Sequence, residues 1–345
     1  MTTAIRDGKY RCPQCDGGDF DVSSTRWTCT ACKRGYACVA GMPKLFLEER
    51  LGSHDRKLRD TFYDGLFGRF YQVMMPVIVM PVRPWSMAWP YWLAYGVTWI
   101  VLAALAVASV GFPMAPGGVA AGLVALGLLA ALVWFLVSNR YLGWLMLLAA
   151  PLKWVQSGKP FVPVETFNEV HARVLAGLRT SGRRLQVLDV STGSCNSLYR
   201  HGWMSLDADY TAIDLSETML RQGSEIMAIN GVAVDLVLGD AVDLPFQSER
   251  FDVVLSYGAV NGLTDPAKAI AEMARVAKPG GVLLFLDEQV YASANAIERA
   301  YFQRVLSSHN VIHHCPVESF PVSLTDVVVS QVYQFYYICT ARKAG

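Results

Sequence analysis

The sequence predicts an α/β protein with a mostly parallel sheet and helices on both faces. Two smaller parts precede the sheet: a cysteine-bearing module and an apolar hairpin. Three observations predict this. In the C-terminal half, short runs rich in Val, Leu and Ile alternate with helical patterns. Two C-x-x-C pairs stand near the N-terminus, at Cys12/Cys15 and Cys29/Cys32. Between these regions, residues 84–139 contain no Asp, Glu, Lys, Arg or His.

Composition sets the first bound. Hydrophobic residues make up 53% of the 345, and charged residues only 17%. That is too apolar for an ordinary soluble chain, so a membrane segment is expected. Charge is unevenly spread: +4 over residues 1–83, +3 over 84–159 and −6 over 160–345. A C-terminal region at −6 is a poor match for a polyphosphate, so no nucleic-acid partner is expected.

The first part is residues 1–47. It is polar and has no apolar core followed by a small-residue cleavage site, so it does not read as a signal peptide. A cytosolic N-terminus is expected, where cysteine pairs more often bind metal than form disulfides. The "CPQC" and "CTAC" knuckles, 13 residues apart, are a tetrahedral zinc signature. Cys12, Cys15, Cys29 and Cys32 would close the coordination sphere, making the Zn2+ structural rather than catalytic. Cys38 is left over.

Residues 48–83 follow as lid and interfacial segments, and residues 84–159 as the apolar hairpin. The hairpin divides at the Gly/Pro-rich "GFPMAPGG", Gly111 to Gly118. On either side lies an apolar run of about 20 residues, enough to cross ~30 Å of hydrocarbon. Tyr91, Trp92, Trp99 and Trp134 fall near the span ends, as an interfacial aromatic belt does. Arg69, Arg83, Arg140, Lys153 and Lys159 flank the outer ends, and the turn carries no basic residue. Both termini and the C-terminal domain are therefore expected on the cytosolic side of the cytoplasmic membrane. The bordering "FYQVMMPVIVMPV" and "YLGWLMLLAAPLKWV" either lie in the membrane interface or pack on the soluble domain.

The last part is residues 160–345. Strands are read at 185–190, 210–214, 234–239, 251–257 and 281–287. Helical patterns such as "SETMLRQGSEIMAIN" and "PAKAIAEMARVAKP" separate them. A βαβ series of this kind places its ligand at the carboxyl ends of the strands. Asp189 closes the first strand, and the small-residue turn "STGSC" follows it. Small residues allow close backbone approach to a ligand. Asp214 ends the second strand, where a carboxylate can take both ribose hydroxyls. This much fits a nicotinamide or an adenosyl ligand, and the turn lacks two glycines of a dinucleotide fingerprint.

The later motifs narrow the choice. "GDAVDLPF" follows the third strand, and "ARVAKPGG" precedes the fifth. Over about residues 160–290 this Rossmann-like succession resembles the class I S-adenosylmethionine-dependent methyltransferases. It is most similar to the branch of the ubiquinone/menaquinone C-methyltransferases, the arsenite methyltransferases and the membrane-associated thiol methyltransferases. The resemblance implies S-adenosyl-L-methionine as methyl donor. By position, Asp189, Ser191, Gly193 and Cys195 match the turn that wraps its methionine moiety and ribose. Asp214, followed by Leu215, matches the ribose-binding acid; Asp240 and Ala241 match the pair that meets the adenine; Tyr257 matches a donor-pocket position. Ser191 and Cys195 depart from the family's glycines. "TFYDGLFGRFYQ", Thr61 to Gln72, resembles the Tyr-Asp helix that closes over the donor.

Candidate groups on the acceptor side are Asn261, Asp287 and Glu288, after the fourth and fifth strands, and His313 and His314. Cys315 and Cys339 read as core residues. The expected function is a membrane-anchored methyltransferase acting on a lipophilic small molecule: a quinone, lipid, phenol or thiol. The alternatives are an RNA methyltransferase that uses the ribbon to hold its substrate, and a membrane scaffold whose altered turn binds no donor.

Overall fold

The computed structural model describes residues 3–5, 8–65, 68–69, 164–179, 182–292, 294, 296–303, 307, 310–332 and 335–345. The expected transmembrane hairpin and its flanking interfacial segments lie outside the described residues. Among the described residues, no helix is long and apolar enough to cross a membrane.

Residues 185–343 build a seven-stranded sheet from β6 (Leu185–Val190), β7 (Ala208–Asp214), β8 (Val234–Leu238), β9 (Phe251–Tyr257), β10 (Ala277–Glu288), β11 (Leu324–Val332) and β12 (Tyr336–Lys343). The spatial order is β11-β12-β10-β9-β6-β7-β8. β6 pairs in parallel with both β7 and β9, β7 with β8, and β9 with β10. β12 runs antiparallel between β10 and β11. These last two strands were not read from the sequence. Their Val/Tyr pattern is interrupted by polar residues, because β11 is an edge strand with one wet face. The central strands β6 and β9 are buried almost throughout, as their unbroken apolar runs require.

Chain order reverses between β6 and β9. The crevice above their carboxyl ends is the switch point where a sheet of this kind holds its ligand. The connecting helices are α2 (Val164–Arg179), α3 (Asn196–Arg200), α4 (Glu217–Ile229), α5 (Pro266–Val276) and α6 (Ala296–Tyr301), with α1 (Ser53–Leu58) preceding them. Ser216 caps α4 by accepting from Met219 N–H at 3.1 Å. Asp265 caps α5 by accepting from Lys268 N–H at 2.9 Å, with Pro266 at the first helical position.

The cysteine module is a five-stranded antiparallel ribbon: β1 (Thr3–Ile5), β2 (Phe20–Val22), β3 (Arg26–Cys29), β4 (Gly35–Val39) and β5 (Met42–Pro43). It does not stand apart. Residues 1–69 and 161–345 form one compact unit. Leu45 N–H donates to Leu238 O at 2.8 Å, extending the edge of β8. Tyr10 and Phe246 form an antiparallel bridge. Tyr10, Phe20, Trp27 and Leu45 share one continuous core with Val190, Ile213, Phe246 and Phe251. The rings interlock: Tyr10 meets Trp27 edge-on at 5.0 Å, and Phe246 meets Phe251 at 5.2 Å. An exposed sheet edge invites unwanted pairing, and the ribbon covers this one.

Candidate functional site

The turn after β6 is held by its own first residue. Asp189 is fully buried, and its Oδ2 accepts hydrogen bonds from the hydroxyls of Thr192, at 2.6 Å, and Ser197. Its Oδ1 is buried with no hydrogen-bond partner among the described residues. Burial pushes this carboxyl up to about 7, against the two hydroxyls, which lower it. Asp189 thus organises the turn and leaves one acceptor oxygen over, a feature that suits a cationic ligand.

Ser191, Gly193 and Cys195 all have left-handed backbones, at φ 53°, 56° and 58°. Only one of these three left-handed positions is a glycine. The other two differ in placement. Ser191 is half-buried at the turn. Cys195 is fully buried, and its sulfur points under α4, to within 2.8 Å of where a Cβ on Gly223 would stand. The Cys195 side chain packs under α4, and its left-handed backbone shapes the turn. Burial also pushes its thiol up to about 12.

Asp214 ends β7 and faces the turn. Its Oδ2 accepts from Gly193 N–H and its Oδ1 from Ser216 N–H, each at 2.8 Å. Burial pushes it up to about 6, and those two N–H groups oppose the rise. Leu215 packs against the cluster of Met42, Phe46, Leu51, Leu220 and Leu238. Asp240 and Ala241 are buried after β8, and Asp240 Oδ1 accepts from Val242 N–H at 3.0 Å. Burial also pushes Asp240 up to about 6.

The Tyr-Asp segment comes to the same place. Asp64 Oδ1 accepts from Ser216 Oγ–H at 2.6 Å and from Thr218 N–H at 3.1 Å, at the first turn of α4. Tyr63 lies in the field of Asp214, Glu288 and Asp287, and its phenol is pushed up by burial and by those carboxylates. Asp287 itself is buried and held well above the carboxylate range, first by burial and then by Glu288. Asp214, Glu288 and Asp287 thus surround Tyr63, with Asp287 held in its neutral form.

Tyr257 ends β9 and is half-buried. Its hydroxyl accepts from Trp203 Nε1–H at 2.8 Å and shares a 2.7 Å hydrogen bond with His171 Nε2. Its ring stacks on His201 at 5.1 Å and on His171 at 5.9 Å. His171, His201 and Trp203 were not read from the sequence. Their signal is weak, because the four residues come from α2, the end of α3, the turn after it and β9.

Of the acceptor-side candidates, Asn261, Asp287 and Glu288 are joined by hydrogen bonds, and His313 and His314 lie on the exposed segment after them. Asn261 is fully buried: its side-chain N–H donates to Glu288 O at 2.7 Å, and its Oδ1 accepts from Tyr337 O–H at 3.1 Å. Its backbone N–H donates to Asp287 Oδ2 at 2.9 Å, and its carbonyl receives Val311 and Ile312 N–H. An amide so engaged ties loops together. His313 is exposed and edge-on to Phe302, and His314 is exposed on Glu318 Oε1 at 2.8 Å. Glu288 is half-buried, with Oε2 accepting from Asn310 at 2.9 Å.

In the ribbon, the sulfurs of Cys12, Cys15, Cys29 and Cys32 lie within 4.8 Å of one another. Cys12–Cys32 and Cys15–Cys29 are each 3.7 Å apart. A tetrahedron with metal–sulfur bonds of about 2.3 Å has edges of about 3.8 Å, so the four sulfurs fit a zinc ion. Tyr36 O–H stands 3.1 Å from Cys12 Sγ, placed to donate to a thiolate.

Comparison with known proteins agrees with this geometry. Residues 188–285 match the family described as a methyltransferase domain. The chain is similar to a demethylmenaquinone methyltransferase of Renibacterium salmoninarum, at 35% identity over 124 residues, covering 35% of this chain and 49% of that protein. It is similar to a ubiquinone/menaquinone biosynthesis C-methyltransferase of Burkholderia mallei, at 42% identity over 74 residues, covering 21% of this chain and 30% of that protein. The chain thus spans half or less of the length of these relatives. Among solved structures, phosphoethanolamine N-methyltransferase 2 of Haemonchus contortus aligns over 51% of this chain and 53% of that one, with 15% identity and a TM-score of 0.42. Residues 188–285 thus carry the likeness to a methyltransferase domain.

Proposed function

We propose that the chain uses this methyltransferase domain at a membrane, moving a methyl group from S-adenosylmethionine to a lipophilic small molecule, with a quinol ring the foremost candidate. Donor use is supported by the turn at the switch point: Asp189 with its open oxygen, and Asp214 joined to Gly193. Similarity to the demethylmenaquinone methyltransferase favours a ring acceptor. The observation that carries the membrane reading is in the chain order. The Tyr63–Asp64 segment that meets α4 is followed in sequence by the 56 uncharged residues 84–139. An apolar substrate dissolves where such a segment resides, and the donor stays in the water outside.

When bound, the donor supplies a methyl group on a positively charged sulfur. The chain's contribution is positioning and exclusion of water. Asp214, through Gly193 and Ser216, fixes the turn against α4, and Asp64 ties the Tyr63 segment over it. The Asp214 and Glu288 carboxylates, both near Tyr63, favour the sulfonium over its neutral thioether product, which aids product release. Methyl transfer to a ring carbon breaks the carbon–sulfur bond, leaves the electron pair on sulfur and expels a ring proton. Glu288 is the carboxylate we assign to receive that proton. The four cysteines hold zinc as a structural ion.

The test is transfer of isotope-labelled methyl from donor to total lipid extract and to a water-soluble extract, with detergent-purified full-length protein. Label in the solvent-extracted quinone fraction is expected. Label confined to water-soluble products overturns the acceptor assignment.

A further inference from the structure

A cavity of about 380 Å³ opens between the ribbon and the loop after β8. Arg11, Asp16, Arg50, Asp240, Asp243 and Lys268 give it a charged lining, and Phe46 and Leu47, from the turn after the ribbon, with Val242, from the loop after β8, supply its apolar part. Asp240 Oδ1 is taken by Val242 N–H, and Oδ2 carries no hydrogen bond among the described residues. An adenine ring has apolar faces and a hydrogen-bonding edge. Phe46, Leu47 and Val242 offer apolar surface, and Asp240 offers an acceptor. Phe46 also shares a cluster with Leu215, next to the ribose-binding acid.

The loop itself is gripped by the ribbon on three sides. Leu45 N–H donates to Leu238 O, just before the loop, and Gln247 N–H donates to Lys9 O, just after it. Between them Arg11 N–H donates to Pro245 O at 3.0 Å. The Arg11 guanidinium donates to Leu244 O at 3.0 Å, to Asp243 at 2.6 Å and to Glu272 at 3.2 Å. Glu272 in turn accepts from Leu244 N–H at 2.9 Å. Arg11 is bonded covalently to Cys12, one of the four clustered cysteines. A metal that fixes Cys12 fixes the residue that holds the loop.

We propose that the ribbon is part of the donor site. Phe46 and Leu47 wall its adenine end, and Arg11, held in place by the metal on Cys12, positions the Asp240–Phe246 loop that reads the adenine edge. The proposal rests on the methyltransferase reading above. It makes the metal a determinant of donor affinity, although the metal touches neither donor nor acceptor. Arg11 both holds the loop and lines the cavity, so its loss raises donor Kd and donor KM and leaves kcat nearly unchanged.

The experiment is calorimetric binding of S-adenosylhomocysteine to the full-length protein in detergent, with metal content measured on the same samples. Arg11→Lys and Phe46→Ala are expected to weaken binding tenfold or more with one zinc retained. Ser24→Ala, on the far turn of the ribbon, should bind like the parent. Stripping zinc with a chelator should weaken binding by a similar factor, and restoring zinc should reverse it. Amide exchange should rise across residues 239–247 and stay unchanged across β9, which separates loosening from unfolding. Unchanged affinity in Arg11→Lys, in Phe46→Ala and after zinc removal overturns the proposal. If the parent binds no S-adenosylhomocysteine, the methyltransferase reading falls with it. If the parent binds, Asp214→Ala does not, and the ribbon variants bind normally, only this proposal falls.

Discussion

Cys195 and Gly223 are a matched pair: the sulfur of one lies 2.8 Å from the point where a side chain on the other would begin. The turn gives up a glycine at 195, and α4 places one at 223, so helix and turn still pack closely. Gly223→Ala should therefore destabilise the protein, by about 1–3 kcal/mol of overpacking less up to ~1 kcal/mol gained in helix propensity. In a Cys195→Gly background the same change should cost at least ~1 kcal/mol less, because the sulfur is gone. Urea unfolding of the four proteins measures this. Equal effects of Gly223→Ala in both backgrounds would show that the two residues are not coupled.

Donor binding should release protons near neutral pH. Asp189, Asp214 and Asp240 are raised by burial to about 7, 6 and 6. A carboxyl raised on folding holds more protons folded than unfolded between its ordinary value near 4 and its raised one. Stability of the free protein from these groups therefore falls as pH rises from about 4 to 7. Asp252 and Glu48, which are held low, act below that window. A cationic donor favours the ionised forms, so affinity should climb over the same range. Calorimetry of S-adenosylmethionine binding at pH 6.5, in buffers of different ionisation enthalpy, should show proton release. Asp189→Asn should reduce it. Binding with no proton exchange at that pH would contradict the assignment.

Zinc affinity should depend on Tyr36. Its hydroxyl stands 3.1 Å from Cys12 Sγ inside a buried core. A hydrogen bond to a thiolate is charge-assisted, and losing such a partner costs metal sites about 10–100-fold in affinity. Tyr36→Phe keeps the ring packing against Phe20 and removes only the donor. Competition with a chromogenic chelator should show the loss. Unchanged zinc affinity would make Tyr36 a packing residue alone.

How much of this was legible depends on whether a signal was local. The strands 185–190 and 251–257 were read to the residue, because both faces are buried and their apolar runs are unbroken. The positions of Asp214, at the end of the second strand, and Asp240, two residues past the third, were legible from the apolar runs before them. The ribbon's role was hidden, since Arg11 meets Asp243 across 232 positions and nothing local marks either residue. The direction of the Cys195 side chain was hidden by a left-handed backbone, which turns it under α4. Asn261 ties together loops that are distant in sequence, and no local pattern marks that. Its partners come from β10, β12 and the 310–312 segment.

Asp64 should matter to the donor more than to the fold. It reaches Ser216 and Thr218, and Ser216 is the residue whose N–H holds Asp214. The Tyr63 segment, the α4 cap and the Asp214 carboxylate are therefore linked through one residue, Ser216. Asp64→Ala removes two hydrogen bonds at a helix start, one of them from a backbone N–H. The direct loss is about 1–3 kcal/mol, and where it falls is the question. If the segment is a lid, the loss is felt in the bound state: donor affinity should fall ten- to a hundredfold, with a small change in Tm. Asp64→Asn keeps an acceptor oxygen and loses only the charge near the helix start, so it should recover most of the affinity. Protease cleavage within residues 59–69 should be slowed by S-adenosylhomocysteine in the parent and unaffected in Asp64→Ala. A lower Tm with unchanged donor affinity would mean that Asp64 only caps α4, and the Tyr63 segment would no longer be read as a lid.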